Sequence, residues 1–568
     1  MANREPLQKV VVIFDSIGCN VMRDVVIKKI PVIVLVLFFG LLLSGVFLPI
    51  YSDEVVTKFR IARLFLESGD AVTLFPQCTA TTGRAVSWIF YPIGMLLSAL
   101  YAHLGPLGLR VSGIVLSLIW FVLLAYWCWA QTRDSGVALQ RFAGFVAVGS
   151  LGILPFLWVL SRPEQLLILA ILMLCLTALF SSKPKSARGQ VSVAAGVALL
   201  LSFLFYAHPK SMFYTPFALV AAWLATASYH KVIRYGLILF VLGSCVQVFL
   251  YFNALGNCQD APSIKLMLGA NTLLPGTLFS APNEFVSAAF NNLVSFPERL
   301  LTHLTFNEAY QSGWLPPLSG SFAALPYLNW AIYYFLLVFV VSLHFLAVSI
   351  FLLQLIRRQV TGTVLLALLL VGANVGNAFF YNIQNFYAGS QFVPVTIIIT
   401  ALLMQSQRGV KKNNPPTLVA YSLLLLLSIA SMMTSLALVT PSIMRNTSSA
   451  QSSLPGQPLS IPVFGVQSHL NSIRKLGAAC EIPAKSTESV VVDHMTYFAF
   501  VQDKKPIHVL YVTEFGYGGD LTNGRLLPFL KGLNSPGLIT RCEWVPNEFR
   551  QAQQTGEMGY CCVNFSKM

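Results

Sequence analysis

The chain is 568 residues long, 56% hydrophobic and only 10% charged, with net charge +15 and mean hydropathy +0.69. So much apolar material excludes a soluble globular protein, and recurring apolar runs near the ~20 residues that cross hydrocarbon identify an all-α polytopic membrane protein rather than a closed barrel. The basic residues sit in short loops between those runs, as the positive-inside bias produces, so the charge argues against a nucleic-acid partner.

Residues 1–29 carry Arg4, Lys9, Arg23, Lys28 and Lys29 and read as a cytoplasmic N-terminus. Pro31–Ile50 is too long for a signal-peptide core, and Phe47-Leu48-Pro49-Ile50 offers no small-residue cleavage site, so it reads as an uncleaved first span. Tyr51-Ser52-Asp53-Glu54 then sets two adjacent carboxylates where that span meets water. Val55, Phe59, Ala62 and Leu66 follow at helical spacing, which predicts a helix lying in the interface. Ser87–His103, with Trp88, Phe90, Tyr91 and Tyr101, is expected to lie there too. Counting it as a span would put Arg133, Arg141, Lys183, Lys185, Arg188, Lys231 and Arg234 outside, against the positive-inside bias.

Further spans are expected at 110–130, 142–160, 165–182, 191–207, 214–229, 235–252, 328–352, 363–381, 392–406 and 416–438, about eleven in all by the length criterion. They make a membrane domain over 30–438 with the N-terminus inside and the C-terminus outside. Its outside loops are 51–109, 161–164, 208–213, 253–326 and 382–391. Residues 439–460 read as a linker, with Asn446–Pro458 rich in Ser, Pro and Gln. Residues 461–568 read as a small α/β domain outside the membrane. Its strands are expected at 489–493 and 507–512, and its helices at 467–476, 526–533 and 547–554. Cys78, Cys258, Cys480, Cys542, Cys561 and Cys562 fall on the oxidising side, where Cys480 or Cys542 is expected to pair with Cys561 or Cys562. No Cys/His spacing reads as a zinc site, and no phosphate-loop glycine motif is present.

Ionisable groups near the bilayer are costly, which makes them candidates for function. Four outside clusters qualify, and each has a plainer reading. Asp53 and Glu54 either cap a helix and favour its positive end, or supply a general base or metal ligand. In Arg162-Pro163-Glu164, Pro and Glu suit a helix start, while Arg and Glu could share an aqueous pocket. His208-Pro209-Lys210 is either an interfacial anchor with a snorkelling Lys or a cation for a phosphate. Tyr387 and Gln391 belong either to an aromatic belt with a helix cap or to an acceptor or substrate contact. Brought to one interface, the acids would deprotonate an incoming hydroxyl and the cations would stabilise a departing phosphate.

With these features the chain resembles the GT-C class of polyprenyl-phosphate-dependent membrane glycosyltransferases. That class includes the protein O-mannosyltransferases, the lipid A aminoarabinose transferase and the catalytic subunit of oligosaccharyltransferase. The similarity rests on Asp53-Glu54 and the interfacial helices of the first outside loop, on Ser161-Arg162-Pro163-Glu164, on His208-Pro209-Lys210, and on a soluble tail. It implies a catalytic base at Asp53, with Glu54 as the fallback. It implies donor-phosphate binding by Arg162, His208 and Lys210, with Glu164 as the second-loop acid. A divalent metal, Mg or Mn, held by Asp53 and Glu164 is implied for some members, although Glu164 stands alone where others carry an acidic pair. The expected partners are a polyprenyl-phosphate-linked sugar, the bilayer, and a glycan, lipid or protein acceptor. The expected place is the inner or plasma membrane, with the tail periplasmic or extracellular. Two other readings stand beside this one. An O-antigen-type polymerase or ligase would rely on Arg and His in the long loop. A lipid-sugar flippase or transporter would carry mid-membrane polar sites.

Overall fold

The computed structural model describes residues 29–51, 54, 105–132, 134–180, 184, 186–258, 262–307, 323–382, 386–406, 415–447, 460–461, 463–482, 489–500, 505–513, 519–521 and 523–568. The protein is an all-α polytopic membrane protein with a small sheet-containing domain at its C-terminal end. Its membrane helices are α1 (Ile30–Ser44), α2 (Gly105–Gln131), α3 (Ser135–Gly149), α4 (Leu154–Trp158), α5 (Pro163–Phe180), α6 (Ala187–Ala207), α7 (Thr215–Ala225) and α8 (Lys231–Gly256). Between α8 and the next long helix lie α9 (Pro262–Asn271), α10 (Pro275–Ser280) and α11 (Pro282–Leu301). The series closes with α12 (Leu325–Ile356), α13 (Gly362–Phe380), α14 (Phe386–Ser406) and α15 (Pro415–Thr447). Among the described residues nine helices are long and apolar enough to span a membrane. In hydrocarbon a helix meets all its backbone hydrogen bonds internally, which is why apolar runs of this length take that form. Val36, Val122, Leu239 and Phe345 point outward, where lipid replaces protein packing.

Two expected spans are interrupted. Segment 142–160 breaks between α3 and α4. Gly152 adopts φ +57° there, and a Cβ on it would meet the Leu304 carbonyl oxygen at 1.8 Å. The exposed backbone is satisfied from outside the helix: Ile153 N donates to Leu304 O (3.0 Å), Gly152 N donates to Ser431 Oγ (2.7 Å), and Ser435 Oγ donates to Gly152 O (3.2 Å). Segment 214–229 is shortened. A 3₁₀ turn over Pro209–Tyr214 precedes the 11 residues of α7, which rise about 16 Å against the ~30 Å of a hydrocarbon core. The interfacial helices expected at 55–69 and 87–103 lie outside the described residues. The expected 439–460 linker begins later, because α15 runs on to Thr447.

Helix α5 is central, packing against α2, α6, α7 and α14. Near its start, α2 crosses the 159–161 segment in backbone contact. A Cβ on Gly113 would lie 2.2 Å from Val159 O. Gly113→Ala therefore forces these backbones apart and should cost about 1–3 kcal/mol, as overpacking does. Thermal unfolding in detergent checks this, and an unchanged midpoint would count against the close crossing.

The C-terminal domain holds a mixed five-stranded sheet in the order β4-β3-β5-β7-β6. Its strands are β3 (Ser489–Val492), β4 (Lys505–His508), β5 (Gly537–Arg541), β6 (Gln554–Thr555) and β7 (Tyr560–Asn564). Strand β3 runs parallel to β4 and β5, and β7 is antiparallel to β5 and β6. The expected strand at 507–512 turns into a 3₁₀ turn at Val509, and the helix expected at 547–554 is a 3₁₀ turn over Asn547–Ala552. The helices at 467–476 and 526–533 appear as α16 (Val466–Ala479) and, after the short α17 (Tyr497–Phe500), α18 (Leu526–Gly532). Disulfides join Cys480 to Cys562 and Cys542 to Cys561. These adjacent β7 cysteines point to opposite faces, so each face of the sheet is pinned once. Cys258 is also disulfide-bonded.

This domain meets the end of α1 and the start of α2. Strand β1 (Ile50–Tyr51) pairs antiparallel with β2 (Ser460–Ile461). Ile50 and Leu109 are buried in one apolar cluster with Val463, Val466 and Leu470. The start of the tail is thus seated beside Glu54.

Candidate functional site

The segment that follows α1 opens with a buried ion pair. Glu54 follows β1, Arg110 lies in the first turns of α2, and both side chains are fully buried. Glu54 Oε1 accepts from Tyr51 N (2.9 Å) and Arg110 Nη2 (3.0 Å). Oε2 accepts from Ser161 N (2.7 Å) and Arg110 Nη1 (3.4 Å). The guanidinium also donates to Val159 O (2.7 Å) and to Pro49 O. One carboxylate and one guanidinium thereby lock together the end of α1, the start of α2 and the 159–161 segment that leads into α5. Neither buried charge could be tolerated without the other and its surrounding hydrogen bonds.

Ser161 carries this clamp directly to the second cluster. Pro163 opens α5, a position where its missing N–H costs nothing. That start presents Glu164 inward, with Arg162 Nε 3.2 Å from Oε2. His208 ends α6 in an extended conformation. Its Nδ1 accepts from Lys210 N (3.1 Å), and its Nε2 stands 3.7 Å from Glu164 Oε1. Burial pushes the His208 imidazole down to about 4; Glu164 opposes this, while Lys210 and Arg162 add to it. His208 is therefore neutral at pH 7 and presents Nε2–H towards Glu164. Burial also draws Lys210 below the usual lysine range, with Glu164 opposing and Arg162 assisting.

Lys210 is buried, and its Nζ lies 5.0 Å from the centre of the Tyr381 ring, just past the end of α13. Among the described residues it forms no salt bridge. The structure thus brings Arg162, Glu164, His208 and Lys210 together from the starts or ends of three elements, with Tyr381 beside them.

Gln391 is fully buried on α14 and leads away from this cluster. Its Nε2 donates to Tyr214 Oη (2.6 Å), which donates to Asn374 Oδ1 (3.4 Å). Asn374 Nδ2 lies 3.0 Å from His344 Nε2, and His344 Nδ1 lies 2.7 Å from Val340 O. A polar chain therefore runs from Gln391 on α14 through Tyr214, at the end of the 3₁₀ turn that carries Lys210, and Asn374 on α13 to a histidine inside α12. Sequence analysis passed over Arg110, Tyr381 and His344. The available signals were a charge and an imidazole inside apolar runs and an aromatic residue at a span end.

Asp53 lies outside the described residues. Tyr387 lies in the first turn of α14. Among the described residues no group of three His, Cys, Asp or Glu side chains could hold a metal ion. Among the described residues the side chains that act on Glu164 include those of Arg162, His208 and Lys210.

No family model matches the chain, and no curated protein is significantly similar to it. Among solved structures it is similar to the oligosaccharyltransferase AglB of Archaeoglobus fulgidus in complex with an inhibitory peptide and a dolichol-phosphate. That match has 12% identity and TM-score 0.44, over 90% of this chain and 69% of that one. It is also similar to ArnT of Cupriavidus metallidurans bound to undecaprenyl phosphate, with 12% identity and TM-score 0.41, over 94% of this chain and 97% of that one. At 12% identity neither similarity carries a residue role to this chain.

Proposed function

We propose that the protein is a membrane glycosyltransferase that moves a sugar from a polyprenyl-phosphate carrier to an acceptor at the outer face of the membrane. One observation carries the proposal. Lys210 is a buried cation that faces an aromatic ring and makes no salt bridge among the described residues. It stands beside Arg162 and His208, and among the described residues Glu164 is the acid that these three groups share. A buried cation beside a second cation suits a phosphate, and a charge-assisted contact there is stronger than in water.

In this proposal the acceptor hydroxyl loses its proton to Asp53 as its oxygen bonds to the anomeric carbon. The bond from that carbon to the phosphate oxygen breaks, and the lipid phosphate leaves with the electron pair. Lys210 and Arg162 take up the charge that grows on it, and His208 holds the Lys210 backbone N–H. Glu164 orients Arg162. Both oxygens of Glu54 are already engaged, so we assign it to positioning: through Ser161 N it fixes the turn that carries Arg162. Gln391 keeps the Tyr214 end of the 3₁₀ turn in place. No step is routed through a metal, and the transfer assay run with and without Mg or Mn measures any dependence directly.

Asp53→Asn should lower the transfer rate at saturating donor by about 100-fold or more, the scale of general-base catalysis, while lipid-phosphate affinity stays within about twofold. Transfer at the wild-type rate by a folded Asp53→Asn protein would remove the base from that position. A second reading, a lipid-sugar flippase, is favoured by the intramembrane chain from Gln391 to His344, since mid-membrane polar groups mark translocation paths. His344→Leu separates the two: transfer survives it, whereas translocation through that chain does not.

A further inference from the structure

Helix α11 lies in the loop that the sequence marks as aqueous, yet its surface has three sectors instead of two. Phe285, Ala289 and Phe296 are buried against the protein, with Phe285 5.9 Å from the Phe380 ring and Phe296 4.5 Å from the Phe392 ring. Glu284, Asn291 and Glu298 form an exposed polar sector. Between them Val286, Phe290 and Val294 are 58%, 60% and 63% exposed. At 3.6 residues per turn these three fall within an arc of about 80°. A helix between protein and water needs only two sectors, and a third that is apolar and open calls for a third medium.

The position of α11 identifies that medium. Beyond its end, Phe306 N donates to Asn329 Oδ1 (2.9 Å) in the first turns of α12. The same turns expose Tyr327 and Trp330 at 78% and 64%, which is how an aromatic belt marks headgroup level. The chain that follows α11 is therefore tied to the start of a spanning helix, at the level its exposed aromatics mark. Phe279 on the preceding α10 is open as well, at 85% exposure.

The opposite side of α11 reaches the candidate site. Asn292 Nδ2 donates to Phe379 O (3.1 Å) and Asn382 Oδ1 (2.8 Å), and Arg299 donates to Asn382 O. Asn382 is next in sequence to Tyr381, whose ring faces Lys210.

We infer that α11 is an in-plane membrane helix whose Val286–Phe290–Val294 arc rests in bilayer hydrocarbon and holds the Asn382 turn, with Tyr381 and Lys210, at headgroup height. The occupant of the arc is the bilayer itself, so this inference is independent of the transferase proposal.

The test is a nitroxide attached to Phe290→Cys, to Val294→Cys and to Glu284→Cys, in the full chain reconstituted into phosphatidylcholine–phosphatidylglycerol liposomes. The unsubstituted chain is labelled in parallel as background. At the first two sites, collision with oxygen should exceed collision with a water-soluble nickel chelate, at a depth of about 5–10 Å below the phosphates; at the third the order should reverse. Two independent arc sites keep the test valid if one variant does not fold. A water-like signal at Phe290 and Val294 would overturn the inference. So would shielding from both reagents, which would mean that a protein surface covers the arc.

Discussion

Replacing Arg110 by Met lowers the unfolding free energy of the membrane domain by about 3–5 kcal/mol, the cost of leaving a buried carboxylate without its counter-charge. The effect is this large because Arg110 does more than pair with Glu54. It also donates to the carbonyls of Pro49 and Val159, so its loss strands acceptors in three segments at once. Glu54 keeps Tyr51 N and Ser161 N, which cannot neutralise it. The double variant Arg110→Met, Glu54→Leu should recover much of the loss, because removing both charges is far less costly than removing one. Thermal unfolding of the three proteins in one detergent measures it. A single-variant loss below about 1 kcal/mol would show that the pair is not the buried lock described here.

Lys210→Ala weakens binding of a polyprenyl phosphate by about 30–150-fold, corresponding to about 2–3 kcal/mol for a buried charge-assisted contact. Lys210→Arg keeps part of that affinity, since the charge remains while the fit over Tyr381 changes. Tyr381→Ala costs less, about 1 kcal/mol of cation–π attraction. Binding of radiolabelled lipid phosphate to protein in nanodiscs reads all three. Equal affinity for wild type and Lys210→Ala would place the phosphate elsewhere.

Much of this architecture is legible in the sequence because apolar run length is a direct consequence of bilayer thickness. The same criterion fails at 142–160 and 214–229. It counts greasy residues and cannot see that Gly152 turns left-handed against Leu304 or that Pro209 starts a 3₁₀ turn. The tail's parallel strand β3 shows as a Val run, whereas β7, carrying Cys561 and Cys562, lacks any such pattern. At the site, the rule that ionisable groups near lipid are costly finds Arg162, Glu164, His208 and Lys210, and the fold does unite them. It also draws in Glu54, whose carboxylate is locked to Arg110. Arg110, Tyr381 and His344 stayed hidden because each is a single residue within an apolar context, and only packing reveals what it meets.

The most direct test of the central claim follows wild-type protein in vesicles loaded with labelled polyprenyl-phosphate sugars, scoring release of free lipid phosphate and movement of labelled lipid across the bilayer together. Release of the lipid phosphate with transfer of the sugar, both strongly reduced in Lys210→Ala, is the expected result. Protein-dependent movement of the lipid with no release from any donor would contradict the transferase proposal and favour translocation.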